Sequence, residues 1–387
     1  MAIYLDHAAT TPMRPEVLDA YVSALSVVGN PSSIHSQGQN AKRMLEEARE
    51  QVAASVGADS VEVTFTSGGT EAINLAIKGL FWAGGKRRVL VAAGEHHATM
   101  DAAAWLASAE NAIVEYVPID DFGRVNLAAL ESMLGDDVAL VSVLWANNEV
   151  GTIQPIDEIV ALASRFDVPV HADAVAAYGY VPLDFSASGL AAMSISAHKI
   201  GGPVGVGALV IARTATVVPL MHGGNQQRAR SGTQDAAGAV AFGVAATAAA
   251  VGIEARASGL RELRDRLIAG IHSATPSAVL RGDPIDRLPG NAHFTFPGCE
   301  GDSLLFLLDV AGFSVSTGSA CQAGVPEASH VLIAMGVSEQ DARGALRITL
   351  GHDTTADEVD AFIAALPAAV SRAVAAGLAD RIVGAGA

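Results

Sequence analysis

The chain has 387 residues, half of them apolar and 5% aromatic, and carries a formal net charge of −17. That length supports a large core with a second, smaller domain, and the acidic balance excludes nucleic-acid and anionic-membrane surfaces unless a local basic patch exists. Lys86-Arg87-Arg88, the one tight basic cluster, immediately precedes an apolar strand and reads as a solvated turn.

Cys299 and Cys321 are the two cysteines, too few for a disulfide framework or a four-cysteine zinc site and suited to a reducing cytosol. The start, Met1 to His7, has neither the basic flank nor the apolar stretch of a secretory signal. Wholly apolar runs stay far below the ~20 residues that a bilayer crossing needs. A soluble, cytoplasmic protein without nucleic-acid or membrane partners is expected.

In chain order, the polar stretch Asp6-His7-Ala8-Ala9-Thr10-Thr11-Pro12 leads into a helix predicted from Pro15 to about Leu25. A second, Gly29-Asn30-Pro31-Ser32-Ser33-Ile34-His35, leads into a charged helix from about Asn40 to Val56. Both are rich in small hydrogen-bonding side chains that serve turns or ligands, with turns the default. Val61-Glu62-Val63-Thr64-Phe65-Thr66 alternates as a strand, and Ser67-Gly68-Gly69-Thr70-Glu71 opens a helix whose Ala72, Leu75, Ala76 and Leu80 recur at helical spacing. Glycines at a helix start make an anion seat, where free N–H groups and the positive end of the helix dipole converge. An ordinary N-cap by Ser67 or Thr70 explains the same residues.

Strands are predicted next at 89–93, 113–117, 138–144, 168–172, 192–195 and 206–211, with helices at 100–109, 127–134 and 156–166. This alternation predicts an α/β fold, a mainly parallel sheet between helices, with ligand residues at the carboxyl ends of its strands. Those ends offer Thr70, His96, His97, Asn147, Asn148, Asp173, Ser196, His198 and Lys199. An Ala-rich helix from Ala236 to about Ala257 and an amphipathic one from Leu260 to about Ile271 bridge to a smaller α+β unit. Its predicted strands lie at 292–296, 314–316 and 346–350, its helices at 302–309, 329–335 and 356–375. The expected division is a large domain over 15–255 and a small one formed by 1–14 and 256–387, carrying the loop Thr317 to Ala323.

Ser194-Ile195-Ser196-Ala197-His198-Lys199 ends a strand in polar residues and a lysine, and a glycine-rich turn follows, Gly201-Gly202-Pro203-Val204-Gly205. Lys199 is either a solvated strand end or a desolvated amine with a lowered pKa, able to form a Schiff base with an aldehyde such as pyridoxal phosphate. That cofactor needs a carboxylate beside its ring nitrogen; Asp173 provides one, or caps a helix. Gly69, Thr70, Ser196 and His198 offer donors to a phosphate. His96 offers a face to a flat ring, or is a hydrogen-bonded strand end after Glu95.

Ordered motifs carry a resemblance along essentially the whole chain: Tyr4-Leu5-Asp6-His7-Ala8-Ala9-Thr10-Thr11-Pro12, Gly29-Asn30-Pro31-Ser32-Ser33, Thr66-Ser67-Gly68-Gly69-Thr70-Glu71, Ala146-Asn147-Asn148-Glu149-Val150-Gly151-Thr152, His171-Ala172-Asp173-Ala174, Ser196-Ala197-His198-Lys199, Arg230-Ser231-Gly232-Thr233 and Ser316-Thr317-Gly318-Ser319-Ala320-Cys321. The chain resembles the cysteine desulfurases, the iron–sulfur-assembly branch of the aminotransferase-like enzymes that use pyridoxal 5'-phosphate. The resemblance implies a pyridoxal-phosphate-dependent transferase-like fold with Lys199 as the Schiff-base lysine, Asp173 as the pyridinium partner and His96 as the stacking residue and proton shuttle. By the same resemblance Asn148 contacts the side of the ring, while Gly69, Thr70, Ser196 and His198 hold the phosphate. Thr233 would reach the phosphate of a neighbouring subunit, which implies a homodimer.

It further implies that Cys321 takes sulfur from L-cysteine, leaving L-alanine and a cysteine persulfide, and that Arg347 grips the substrate carboxylate. The persulfide would pass to a sulfur-acceptor or iron–sulfur scaffold protein, and the long stretch between Cys321 and Arg347 resembles the branch with an extended cysteine loop. No metal is expected, and Cys299 reads as a small buried hydrophobe. The chain departs from the family at Ala176, where glutamine is usual, at Ile73, at Val204 in the turn after Lys199, and at His352, where arginine is common. Two alternatives stand beside this reading: a lyase or transaminase acting on another amino acid, motivated by Ala176, and a catalytically silent subunit that retains the fold.

Overall fold

The computed structural model describes residues 2–318 and 328–384, with side chains described to residue 376. A two-residue strand, β1 (Ile3–Tyr4), comes first. The central sheet is built from β2 (Val63–Thr66), β3 (Arg88–Ala92), β4 (Ile113–Val117), β5 (Val138–Leu144), β6 (Val170–Asp173), β7 (Ala192–Ser196) and β8 (Gly207–Ile211). Its order is β2-β8-β7-β6-β5-β3-β4. Pairs from β7 through β4 are parallel, while β8 runs antiparallel to both β7 and β2. Every residue of β5 is buried, as a central strand covered on both faces requires.

Helices Gly69–Gly84 and His97–Glu110 bury Leu75, Ile77, Leu80 and Leu106 in one apolar cluster. Helices Ser36–Ser55 and Ala236–Ala250 contribute Leu45, Val52 and Phe242 to another. The doubly covered α/β sheet matches the expected fold class.

One predicted helix is divided. Instead of running from Ala236 to about Ala257, the chain stops at Ala250 and restarts as Ile253–Ala274, turned by 71°. Gly252 sits between them at φ 64°, the left-handed position after a helix that glycine fills without strain. Arg256 donates to the Val251 and Ala249 carbonyls, which satisfies the end of the first helix.

Outside the central sheet lie β9 (Val279–Arg281), β10 (Asn291–Thr295), β11 (Phe313–Ser314) and β12 (Ala345–Thr349). β10 lies antiparallel between β9 and β12, and β11 pairs in parallel with β1. Leu5, Leu267, Phe294, Leu346 and Phe362 meet in one apolar core beside these strands. The closing helix, Ala356–Gly384, is long and apolar enough over Ala356–Ala376 to cross a membrane. Val359, Phe362, Leu366, Ala369 and Ala373 recur along it at helical spacing and are buried in that core, so its apolar stripe has a partner within the fold.

The N-terminal segment touches both the three-stranded sheet at β12 and the turn after β7. Asp6 bridges to Thr349 beside β12, and a few residues later the Thr11 N–H donates to the His198 carbonyl at 3.1 Å.

Candidate active site

β6 ends at Asp173 and β7 at Ser196, with Asp173 in register with Ser194. A three-residue turn, Ala197–Lys199, follows β7 and is closed by Ile200 and Gly202 N–H groups donating to the Ala197 carbonyl at 3.1 and 2.9 Å. The turn brings Lys199 back across the strand ends, so that Lys199 and Asp173 line one cleft of about 390 Å³ with Gly69, Thr70, His96, Asn148, Ser196, His198 and Arg347. That volume lies in the range of small-molecule sites.

Lys199 Nζ donates to the Ala8 carbonyl and, at 2.8 Å, to the Ala9 carbonyl. Burial, helped by the Arg347 charge, lowers the amine to about 8, while Asp173 and Asp6 pull the other way. Asp173 is 3% exposed. Its Oδ1 accepts the Val175 N–H at 2.9 Å, and burial raises the carboxyl to about 6. A cation placed beside it would restore the carboxylate.

His96 caps helix His97–Glu110 by accepting the Ala98 N–H at Nδ1, 3.1 Å away. That bond places the proton of the neutral ring on Nε2. Burial, with the charge of Lys199, lowers His96 to about 4, so the ring is neutral at physiological pH. His198 sits with Nδ1 3.2 Å from Thr10 Oγ1 and is also lowered to about 4, chiefly by burial.

The residues expected to seat an anion lie at the ends of β2 and β7, on either side of β8. Thr66 and Ser196 are both in register with Gly207 of the intervening β8, which brings the start of helix Gly69–Gly84 beside Ser196. A Cβ on Gly69 would lie 2.8 Å from Val175 Cγ2, so the close approach demands glycine.

Arg347 enters from β12. Its Nη1 donates to the Asn148 carbonyl at 3.0 Å and its Nη2 to Asp6 Oδ1 at 2.9 Å. Thr233 is exposed and lies away from this cleft. Cys321 falls outside the described residues. Cys299 is buried, and burial raises its thiol to about 11, the inert setting expected of it. Among the described residues, no group of three or more His, Cys, Asp or Glu could hold a metal ion.

Four contributors escaped the reading of the sequence. Asp6, Ala8 and Ala9 lie in the first polar stretch, where ligand contact was one of two readings. Glu95 is 1% exposed, and its Oε1 accepts the Leu144 N–H at 2.5 Å. Burial, with Asp173 nearby, pushes this carboxyl well up. Its place directly before His96 at a strand end was the available signal.

The residues fit pyridoxal phosphate. Ser196 Oγ is buried without a hydrogen-bond partner among the described residues, beside the free N–H groups that begin helix Gly69–Gly84, as a phosphate site requires. A low-pKa amine and a buried carboxyl occupy the same cleft.

The chain is 53% identical over 386 residues to the "IscS-like cysteine desulfurase" of Mycobacterium tuberculosis, covering 97% of this chain and 98% of that protein. A solved "NifS-like protein" superposes with a TM-score of 0.90 at 35% identity, covering 96% of this chain and all of that one (100%). The solved structure "SspA in complex with cysteine" superposes at 0.78 with 31% identity, covering 90% and 98%. Residues 3–362 match the aminotransferase class-V family, and the chain belongs to that family.

Proposed function

We propose that the protein is a pyridoxal-phosphate-dependent cysteine desulfurase that converts L-cysteine to L-alanine and hands the sulfur to an acceptor through Cys321. The convergence of Lys199, Asp173 and Arg347 on one cleft carries this reading, and the names of its relatives support it. Lys199 would hold the cofactor's aldehyde end, Asp173 its ring nitrogen, and Gly69, Thr70, Ser196 and His198 its phosphate, with Asn148 at the ring side and His96 against its face. When bound, the cofactor supplies an electron-withdrawing ring that stabilises negative charge at the substrate α-carbon.

The remaining work falls to the protein. Arg347 orients the substrate carboxylate, and neutral His96 moves a proton through its ring nitrogen. The Cys321 thiolate attacks the substrate sulfur, so that an S–S bond forms as the C–S bond breaks. The carbon fragment takes up a proton and leaves as alanine.

A homodimer agrees with the apolar side chains Leu18, Val22, Leu25, Val28 and Ile34, all at least half exposed on and after the first helix (Pro15–Leu25). In that assembly Thr233 would reach the partner's phosphate site. An acceptor or iron–sulfur scaffold protein and a cytoplasmic setting complete the reading, in keeping with a chain of only two cysteines.

Incubation with L-cysteine should yield alanine and a persulfide on Cys321, detected by mass measurement of the peptide. Cys321→Ser should end both while the protein stays yellow. Continued sulfide release by that variant refutes the assigned nucleophile. Borohydride treatment of the yellow protein should fix the cofactor to the Lys199 peptide.

A further inference from the structure

The Arg347 guanidinium has five N–H donors. Two are committed, one from Nη1 to the Asn148 carbonyl at 3.0 Å and one from Nη2 to Asp6 Oδ1 at 2.9 Å. Nε is buried and has no partner among the described residues, and the residue lines the cleft with donors to spare. The side chain is 6% exposed, and a buried guanidinium keeps a fixed orientation only while its partners hold it.

Asp6 is itself firmly placed. The Tyr4 hydroxyl donates to its carbonyl at 3.0 Å, its backbone bridges to Thr349, and the Ala8 N–H donates to Thr349 Oγ1 at 2.9 Å. The same segment supplies the Ala8 and Ala9 carbonyls that receive Lys199 Nζ. One short run of backbone therefore sets the separation between the amine that faces one end of an α-amino acid and the guanidinium that faces the other.

Building on the reading of Arg347 as the carboxylate site, we propose that Asp6 is a positioning residue for substrate recognition. By holding Nη2, it keeps the Arg347 guanidinium at a fixed span from Lys199 and so selects amino acids with a free α-carboxylate. Its role is geometric. An uncharged acceptor of the same shape serves, whereas loss of the acceptor releases the guanidinium.

The test uses the full-length protein loaded with cofactor. Asp6→Ala should raise the KM for L-cysteine about tenfold and change kcat by less than about threefold, the size expected for one hydrogen bond to a charged group. L-Cysteine methyl ester, which lacks the carboxylate, should show no such change. The dissociation constant of L-alanine, read from the cofactor's absorption without turnover, should weaken in step with the L-cysteine KM. Asp6→Asn should stay close to the parent in all three measurements.

Equal weakening of acid and ester in Asp6→Ala would mark a merely structural role and overturn the proposal. So would unchanged L-alanine binding, or an Asp6→Asn loss as large as that of alanine. Arg347→Ala separates the two levels. If it leaves the preference for acid over ester intact, the reading of Arg347 fails; if it removes the preference while Asp6→Ala does not, the proposal for Asp6 alone fails.

Discussion

Ser142 and Ser194 hold the ring of His171 from opposite sides, their hydroxyls 2.9 Å from Nδ1 and 2.8 Å from Nε2. The three residues lie on β5, β6 and β7, and His171 precedes Asp173 by two positions on the same strand, hence on the same face. Burial lowers the ring to about 3, so it is neutral, donating through one nitrogen and accepting through the other. This polar line braces the strand that presents Asp173. His171→Leu leaves two buried hydroxyls unpaired and should destabilise the protein by about 2 to 4 kcal/mol. Urea unfolding of the cofactor-free protein measures it, and weaker cofactor retention should accompany the loss.

Acid should destabilise the cofactor-free protein. His96, His171, His198 and His293 are held at about 4, 3, 4 and 3, below the ordinary 6.5, with burial the leading cause in each. As pH falls through 6.5 the unfolded chain takes up protons that the folded chain refuses, so stability is lost toward pH 4. Asp173, raised from 3.8 to about 6, and Glu95, also raised, act oppositely, since protonation relieves the cost of burying them. Four imidazoles outweigh two carboxyls. The urea midpoint should therefore fall between pH 7 and pH 5, and a midpoint that rises over that range contradicts the assignment.

Adjacent asparagines should behave differently. Asn147 is 3% exposed. Its Nδ2 donates to the Gly94 carbonyl at 2.9 Å, and its Oδ1 accepts the Glu149 and Val150 N–H groups at 2.8 and 2.9 Å. Asn147→Ala should cost about 2 to 3 kcal/mol of stability, because it dismantles the turn that offers the Asn148 carbonyl to Arg347. Asn148→Ala should cost under about 1 kcal/mol and act on cofactor affinity instead, which fluorescence titration with pyridoxal phosphate distinguishes.

Two glycines of the bridging helices make opposite predictions. Gly252 sits at φ 64° with open space around a built Cβ, so alanine there meets only backbone strain and should destabilise by about 1 kcal/mol. Gly259 lies inside helix Ile253–Ala274, also with open space. Alanine there should stabilise by about 0.5 to 1 kcal/mol. Thermal unfolding of the two variants resolves the signs.

The sequence disclosed the central sheet because its strands are apolar runs set between helices of clear period, and the strand ends then nominated Lys199, Asp173, His96 and Ser196. Its silences have physical causes. β1 and β9 span two and three residues, too short to show alternation. The break at Gly252 was hidden because the alanine-rich helix before it has no polar face to lose. Lys199 meets a backbone carbonyl 190 positions away, and a carbonyl is the same at every residue, so composition gave no hint of Ala8 or Ala9. Asp6 was visible as part of a stretch that serves turns or ligands, but not as the partner of Arg347, which lies 341 positions on.

The pairing of Ile3 with Phe313 and Tyr4 with Ser314 has a consequence for biosynthesis. In a nascent chain the first residues emerge before the ribosome has made the strand that anchors them. Ile3 and Tyr4 must wait without their strand partners until Phe313 and Ser314 have been made. Completion of the catalytic pocket is thus a late event, reached only once β11 is available to anchor β1.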